Sequence, residues 1–222
     1  MAEPSHQFIV VEGPIGVGKT SLARRLAQSL GGQSILEQAH ENPFLERFYR
    51  NPRAAAFQAQ LFFLFQRARQ LEEVRQGDLF GAVRVADYLL EKDRLFARVT
   101  LDDAELGLYE RVYERVVVDA PRPDLVVYLQ APVDVLLDRI AKRGIRYEQL
   151  IERAYLDKLT QAYARFFHGY DASPLLIVNS ASIDPVNSED DYQLLFSEIR
   201  KTRRGRHFFN PAGSSRLPAG QS

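Results

Sequence analysis

The chain has 222 residues, 45% of them hydrophobic and 26% charged, which is the composition of an ordinary globular protein with length for one sizeable core. Lys plus Arg equals Asp plus Glu at 29 each, so no overall field attracts nucleic acid, a duplex-DNA binder is disfavoured, and any affinity for phosphate has to be local. There is no cysteine, which excludes disulfides, thiolate catalysis and Cys-ligated zinc, and neither a secretory pattern in Met1–Gln7 nor an apolar run near the roughly 20 residues of a bilayer span is visible, so the expectation is a cytoplasmic protein without membrane association.

In chain order, the apolar run Phe8-Ile9-Val10-Val11 is short, β-branched and stopped by glycine, as a buried strand would be. A helix follows from Lys19 to about Leu30, closed by Gly31-Gly32, and Ser34–Leu36 reads as a weaker strand. The segment from Ala54 to about Arg75 reads as one long helix. Its first half carries Phe57, Leu61, Phe62, Phe63, Leu64 and Phe65 and leaves little polar face, so it has to be covered on two sides. One side meeting the sheet and the other a second subunit predicts a homodimer; the alternative is a helix enclosed wholly within a monomer.

A third strand is expected over Ala82–Ala86, then a helix beginning near Tyr88 and another from Asp102 to about Val117, ended before Pro121 and Pro123. Strand Leu125–Leu129 leads to a helix opened by Pro132, where a first-turn proline is tolerated, and running through Ala141. A helix over roughly Glu152–Phe167 and a strand over Leu175–Val178 complete the series. From Lys201 the chain is basic and then rich in Gly, Ser and Pro, so residues 201–222 are expected to be a disordered tail and residues 1–200 a single domain. Strands alternating with helices predict an α/β fold of three layers, with a parallel sheet of about five strands flanked by helices.

Gly13-Pro14-Ile15-Gly16-Val17-Gly18-Lys19-Thr20, followed by Ser21, satisfies the pattern Gly-x4-Gly-Lys-Ser/Thr between a strand and a helix. Glycines let such a loop adopt positive φ and bring backbone N–H groups against phosphate oxygens, and the helix N-terminus adds positive charge there. Lys19 is expected on the β- and γ-phosphates of ATP and the Thr20 hydroxyl on Mg2+. The loop makes this a P-loop fold; what accepts the phosphoryl group has to be read elsewhere. An alcohol acceptor must lose its proton, and Glu37, at the end of the second strand, is a carboxylate near the loop, with Glu41 as its rival. Asp87, at the end of the third strand, is suited to hold Mg2+ directly or through water, or else caps the helix after it. Gln58 has the donor and the acceptor to read a purine edge, Gln60 being the competitor. Arg139, Arg143 and Arg146 cluster at a helix C-terminus, either as end caps or as a lid over the triphosphate.

Taken together, the loop, Glu37, Tyr49 ahead of the Phe57-Gln58 helix, Asp87-Tyr88 and the Arg143-Gly144 segment form an ordered series that resembles the deoxynucleoside kinase family over most of the chain. Ala86-Asp87-Tyr88, with Lys92 and Phe96-Ala97 after it, is most similar to the bacterial deoxyguanosine and deoxyadenosine kinases. The resemblance implies transfer of the ATP γ-phosphoryl group to the 5′-hydroxyl of a purine deoxynucleoside. It implies Glu37 as general base, with Lys19, Asp87, Arg139 and Arg143 beside it in catalysis. Tyr49 and Glu148 would hold the sugar 3′-hydroxyl, and Gln58, Asp87 and Lys92 would complete the nucleoside contacts. Ser21, Arg143 and Arg146 would join the loop on ATP, and Thr20 and Asp87 would hold Mg2+. Many relatives carry Arg directly after the acid where this chain has Tyr88, and Lys92 or Arg94 is the replacement. Relatives also often read Arg-Gly-Arg where this chain has Arg143-Gly144-Ile145-Arg146, so the second lid arginine is displaced or lost. The alternatives are a thymidylate-type nucleoside monophosphate kinase and a non-catalytic nucleotide-binding protein.

Overall fold

The computed structural model describes residues 6–76, 82–117 and 120–211. The chain runs through β1 (Phe8–Glu12), α1 (Lys19–Ser29), β2 (Gln33–Ile35), a 3-10 turn (Ala39–Glu41), α2 (Leu45–Arg50), α3 (Pro52–Gln76), β3 (Arg84–Ala86), α4 (Lys92–Thr100) and α5 (Asp103–Val116). It continues with β4 (Leu125–Gln130), α6 (Val133–Arg143), a 3-10 turn (Arg146–Leu150), α7 (Arg153–His168), β5 (Leu175–Asn179), α8 (Glu189–Lys201) and β6 (Arg206–Phe209). Six strands form one sheet in the order β2-β3-β1-β4-β5-β6, and every neighbouring pair is parallel. Ile9 stands between Val85 and Leu125, so the strand that feeds the glycine-rich loop is held from both sides.

Helices cover both faces, and the two-residue period of a strand assigns each apolar side chain to one of them. Ile9 and Val11 join Leu22 and Leu26 of α1, Leu136 of α6 and Leu195 of α8. Val10 points the other way, into a cluster with Leu95 of α4 and Leu159, Tyr163 and Phe167 of α7. Strands β4 and β5 divide by the same parity, Val127 and Val178 to the first side and Val126 and Ile177 to the second. This double burial is why the strands read as continuous apolar runs.

α3 does not lie on the sheet along its length. Ala55, Ala56, Ala59 and Phe63 pack on Leu45 and Phe48 of α2, and Leu64 packs on Tyr109 and Tyr113 of α5. Phe65 of this helix remains 53% exposed. Among the described residues no helix is long and apolar enough to cross a membrane.

Three expectations need correction. The sheet has a sixth strand, β6, beyond the boundary drawn at residue 200; residues 212–222 of the expected tail lie outside the described residues. Arg206, His207 and Phe208 are exposed, so β6 is an edge strand that lacks the apolar signature of a central one. Before it runs α8, which the sequence reading passed over; Ser188 caps it by accepting from the Asp191 N–H, with Glu189, Asp190 and Asp191 in its first turn. The helix expected near Tyr88 begins at Lys92, and Tyr88, Leu89 and Leu90 are instead buried loop residues.

Candidate active site

The loop between β1 and α1 requires its glycines. Gly16 and Gly18 have φ of 84° and 102°. A Cβ on Gly13 would stand 2.4 Å from the Leu129 carbonyl oxygen, and one on Gly16 would stand 2.9 Å from that of Leu136. The first turn of α1 has no side-chain cap, which leaves its backbone donors to a phosphate. Lys19 Nζ donates to the Pro14 carbonyl at 3.1 Å. Its burial and the facing Lys92 charge push its pKa down to about 8.

Glu12 ends β1 and is itself buried. Its Oε1 accepts from the Gly13 N–H at 2.8 Å and from the Tyr163 hydroxyl at 2.9 Å, and its Oε2 accepts from the Leu89 N–H at 2.7 Å. One side chain thus ties the start of the loop to the segment that follows Asp87.

Asp87 uses both oxygens. Oδ2 accepts from the Thr20 hydroxyl, and Oδ1 accepts from the Glu37 backbone N–H at 2.7 Å. Burial and the neighbouring Glu37 charge raise its pKa. The Glu37 carboxylate pairs with the buried Arg67 of α3, and Lys92 Nζ lies 3.2 Å from its Oε1 and 3.5 Å from its Oε2. Burial alone would raise the Glu37 carboxyl, but the Arg67 and Lys92 charges outweigh it and hold the group well below the usual carboxylate range. Arg67 is shared, since its other nitrogen pairs with Asp93, which is fully buried.

Two cavities meet at this point. A cavity of about 130 Å³ is lined by Lys19, Glu37, Tyr49, Asp87, Lys92 and Glu148, with Gln60, Phe63, Arg67 and Phe96 also in its wall. A larger one, about 470 Å³, runs along the other side of the loop past Val17, Gly18, Ser21 and Arg139 to Ser180, Asp184 and Asn187. Gly16, Lys19, Thr20 and Arg143 line both. A donor in the large cavity and an acceptor in the small one would confront each other across those four residues.

Most of the expected site residues converge here. Ile15 and Gly16 line the small cavity along with Tyr49, whose ring stacks on Tyr147 at 6.2 Å between centroids. Glu148 is buried in the 3-10 turn after α6 and pairs with Arg143, with its pKa raised by burial against the pull of that arginine. Arg139 donates to the Val17 carbonyl at 3.3 Å and the Ser180 carbonyl at 2.8 Å, so it braces the loop against the end of β5.

Other expected residues lie outside the two cavities. Gln58 stands on the exposed face of α3 and lines neither cavity, whereas Gln60 is buried and lines the small one. At about 100° per residue the two point some 200° apart, so only one can face the site. Arg146 is exposed and lines neither cavity. Arg94 is engaged elsewhere, with Glu110 at 2.7 Å and the Tyr113 ring at 4.2 Å, which leaves Lys92 as the cation near Asp87. Glu41 is exposed and accepts from Gln66 at 3.0 Å, outside the small cavity.

Comparison with known proteins identifies the family. The deoxynucleoside kinase family matches residues 9–203. The chain belongs to that family. Among curated relatives, deoxyguanosine kinase of Bacillus subtilis (strain 168) is 36% identical over 199 residues, covering 87% of this chain and 96% of that protein. Deoxyadenosine kinase of Lactobacillus acidophilus is 30% identical over 212 residues, covering 89% and 97%. Among solved structures, deoxyadenosine kinase from M. mycoides with bound dCTP superposes with a TM-score of 0.75 at 25% identity, over 87% of this chain and 99% of that one.

Three further charged residues at or beside the site carry no expectation from the sequence. Arg67, Asp93 and Glu12 are charged side chains exposed by 2%, 0% and 1%. Burial of a charge is costly without a partner, so each has one or more here. A signal was present for Arg67, which follows Gln60 by seven residues, two helical turns along one face of α3. Asp93 had none, because the start of α4 was misplaced.

Proposed function

We propose that this deoxynucleoside kinase transfers the γ-phosphoryl group of ATP to the 5′-hydroxyl of a purine deoxynucleoside, giving the deoxynucleoside monophosphate and ADP. The observation that carries the reading is the junction of the two cavities at Lys19, Thr20, Gly16 and Arg143, with the ionised Glu37 carboxylate on its acceptor side. The triphosphate lies on the loop amides with Lys19 against its β- and γ-phosphates. Glu37 accepts the proton as the 5′-oxygen bonds to phosphorus. Tyr49 and Glu148 hold the sugar, and Gln60, rather than Gln58, meets the base with its amide. Catalysis here is mainly positioning and charge stabilisation.

Thr20 Oγ1 and Asp87 Oδ2 are hard oxygen donors that already face one another, and among the described residues no group of three His, Cys, Asp or Glu is spaced to hold a metal. That donor set fits Mg2+ brought in with the nucleotide, held by Thr20 and Asp87. When bound, the ion would neutralise charge on the phosphate oxygens.

A purine is favoured by the names of the relatives, deoxyguanosine kinase and deoxyadenosine kinase, although a further Bacillus subtilis relative, 28% identical, is a deoxyadenosine/deoxycytidine kinase. A coupled ADP-release assay across the four deoxynucleosides, with their monophosphates as controls, tests both parts. Deoxyguanosine or deoxyadenosine should give the highest kcat/KM. Preference for thymidine rejects the purine assignment, and turnover of monophosphates alone overturns the acceptor class.

The homodimer belongs to the same proposal. α3 leaves Phe65 exposed beside a groove of about 400 Å³ lined by Leu71, Leu90, Val116 and Val117. A second copy of this chain is the occupant proposed for that face.

A further inference from the structure

Glu37 meets two cations although one suffices to balance it. Arg67 is fixed at both ends of its fork, by Glu37 and by the buried Asp93. Lys92 is different. It is 4% exposed, yet among the described residues its one ion pair is the contact with Glu37, at 3.2 Å and 3.5 Å, and its ammonium otherwise lies 5.5 Å from the centre of the Phe96 ring. A buried ammonium is costly, and so loose a pairing repays little of that cost.

The Lys92 ammonium also faces the space at the P-loop. It lines the small cavity together with Lys19, Thr20, Asp87 and Arg143. Two ammonium groups converge on this enclosed space, where the carboxylates of Glu37, Asp87 and Glu148 are their protein counter-charges and an entering phosphoryl group would be a further one. The shared wall of the two cavities is where the transferring phosphoryl group has to pass. Lys92 starts α4 and reaches the site on a four-carbon stem, so its ammonium can swing between neighbouring oxygens while Arg67 stays anchored.

We propose that Lys92 is a catalytic cation that leaves the Glu37 carboxylate for the oxygens of the phosphoryl group in transfer. The inference rests on the reading of the site as that of a nucleoside kinase. In the step, the acceptor 5′-oxygen forms a bond to the γ-phosphorus, and the bond from that phosphorus to the β,γ-bridging oxygen breaks. The 5′-hydroxyl proton passes to Glu37, and ADP leaves. Lys92 donates hydrogen bonds to the phosphoryl oxygens. The movement carries its charge from a carboxylate that Arg67 already balances to the phosphoryl oxygens, where it stabilises the charge in transfer.

The test compares wild type with Lys92→Met and Lys92→Ala, using steady-state kinetics, ATP binding and thermal unfolding. Lys92→Met should lower kcat by roughly 10²-fold while KM for both substrates and the ATP Kd stay within about threefold. Lys92→Ala should regain activity with added methylammonium in a saturable manner, and tetramethylammonium at the same ionic strength should restore none. A Lys92→Met enzyme with wild-type kcat overturns the proposal. Loss of ATP binding and of thermal stability in both variants, with no recovery by methylammonium, also overturns it by making Lys92 a structural residue. Wild-type protein inactive on every deoxynucleoside would instead reject the parent reading, a result visible before any variant is made.

Discussion

Lys19 and Glu37 lie on either side of one charge cluster, and the cluster acts on them in ways that pH can separate. Lys19 is desolvated and faces Lys92, while Glu12, Glu37 and Asp87 oppose the loss of its proton; the balance brings it to about 8. The protonated ammonium is the form that binds phosphate, so raising the pH through about 8 should remove it from the free enzyme. kcat/KM for ATP is therefore expected to fall above that pH, and a profile flat to pH 10 would contradict the assignment. Glu37 behaves oppositely. Arg67 and Lys92 keep its pKa below the usual range, so it stays ionised as pH falls from 7 to 5 and should contribute no acid limb there. Its contribution to stability is present above the ordinary carboxylate pKa of about 4.3 and is lost only as pH falls through its lower folded value. Glu37→Gln removes the base and should lower kcat by roughly 10²-fold or more with ATP binding nearly intact. Unchanged turnover would reject the base assignment. Both residues were legible in the sequence, one by its motif and one by its place after a strand. The choice between Gln58 and Gln60 was not, because a helix apolar nearly all round gives no phase by which to tell its inner amide from its outer one.

The elements that carry these residues differ in how much strain a substitution would meet. Gly16 and Gly18 both have positive φ, but only Gly16 is also crowded, by the Leu136 carbonyl and the Ile140 side chain of α6; nothing lies within 4 Å of a Cβ on Gly18. Gly16→Ala has to displace α6 or the loop, whereas Gly18→Ala costs the αL penalty alone, roughly 1 kcal/mol. Gly16→Ala should therefore lower both Tm and ATP affinity more than Gly18→Ala does. Equal effects in calorimetry would mean that the loop-to-α6 contact is not limiting. The strands that position the loop were readable as β-branched runs, since burial on both faces leaves an unbroken apolar signature. β6 escaped notice for the opposite reason: three of its four residues are exposed at the sheet edge, and they sit in a basic stretch that imitates a tail.

At the scale of the whole molecule, α3 links the active site to the proposed dimer. Its inner face supplies Gln60, Phe63 and Arg67 to the small cavity, and its outer face presents Phe65 with Arg69 and Glu72. Twenty-five residues of helix with aromatic side chains on both sides cannot be covered by α2, α4 and α5 alone, and Phe65 is left 53% exposed. Burying a phenylalanine is worth roughly 1.5–3 kcal/mol, and a two-fold contact buries it twice. Phe65→Asp would place a charge in that contact on both copies and should convert a dimer at micromolar concentration into a monomer in sedimentation velocity. Because Phe65 points away from the residues that line the cavity, the monomeric variant should fold and still bind ATP, with Tm reduced by the loss of the partner. Wild-type protein sedimenting as a monomer at that concentration would remove the dimer and leave Phe65 as an exposed side chain without a partner to explain it.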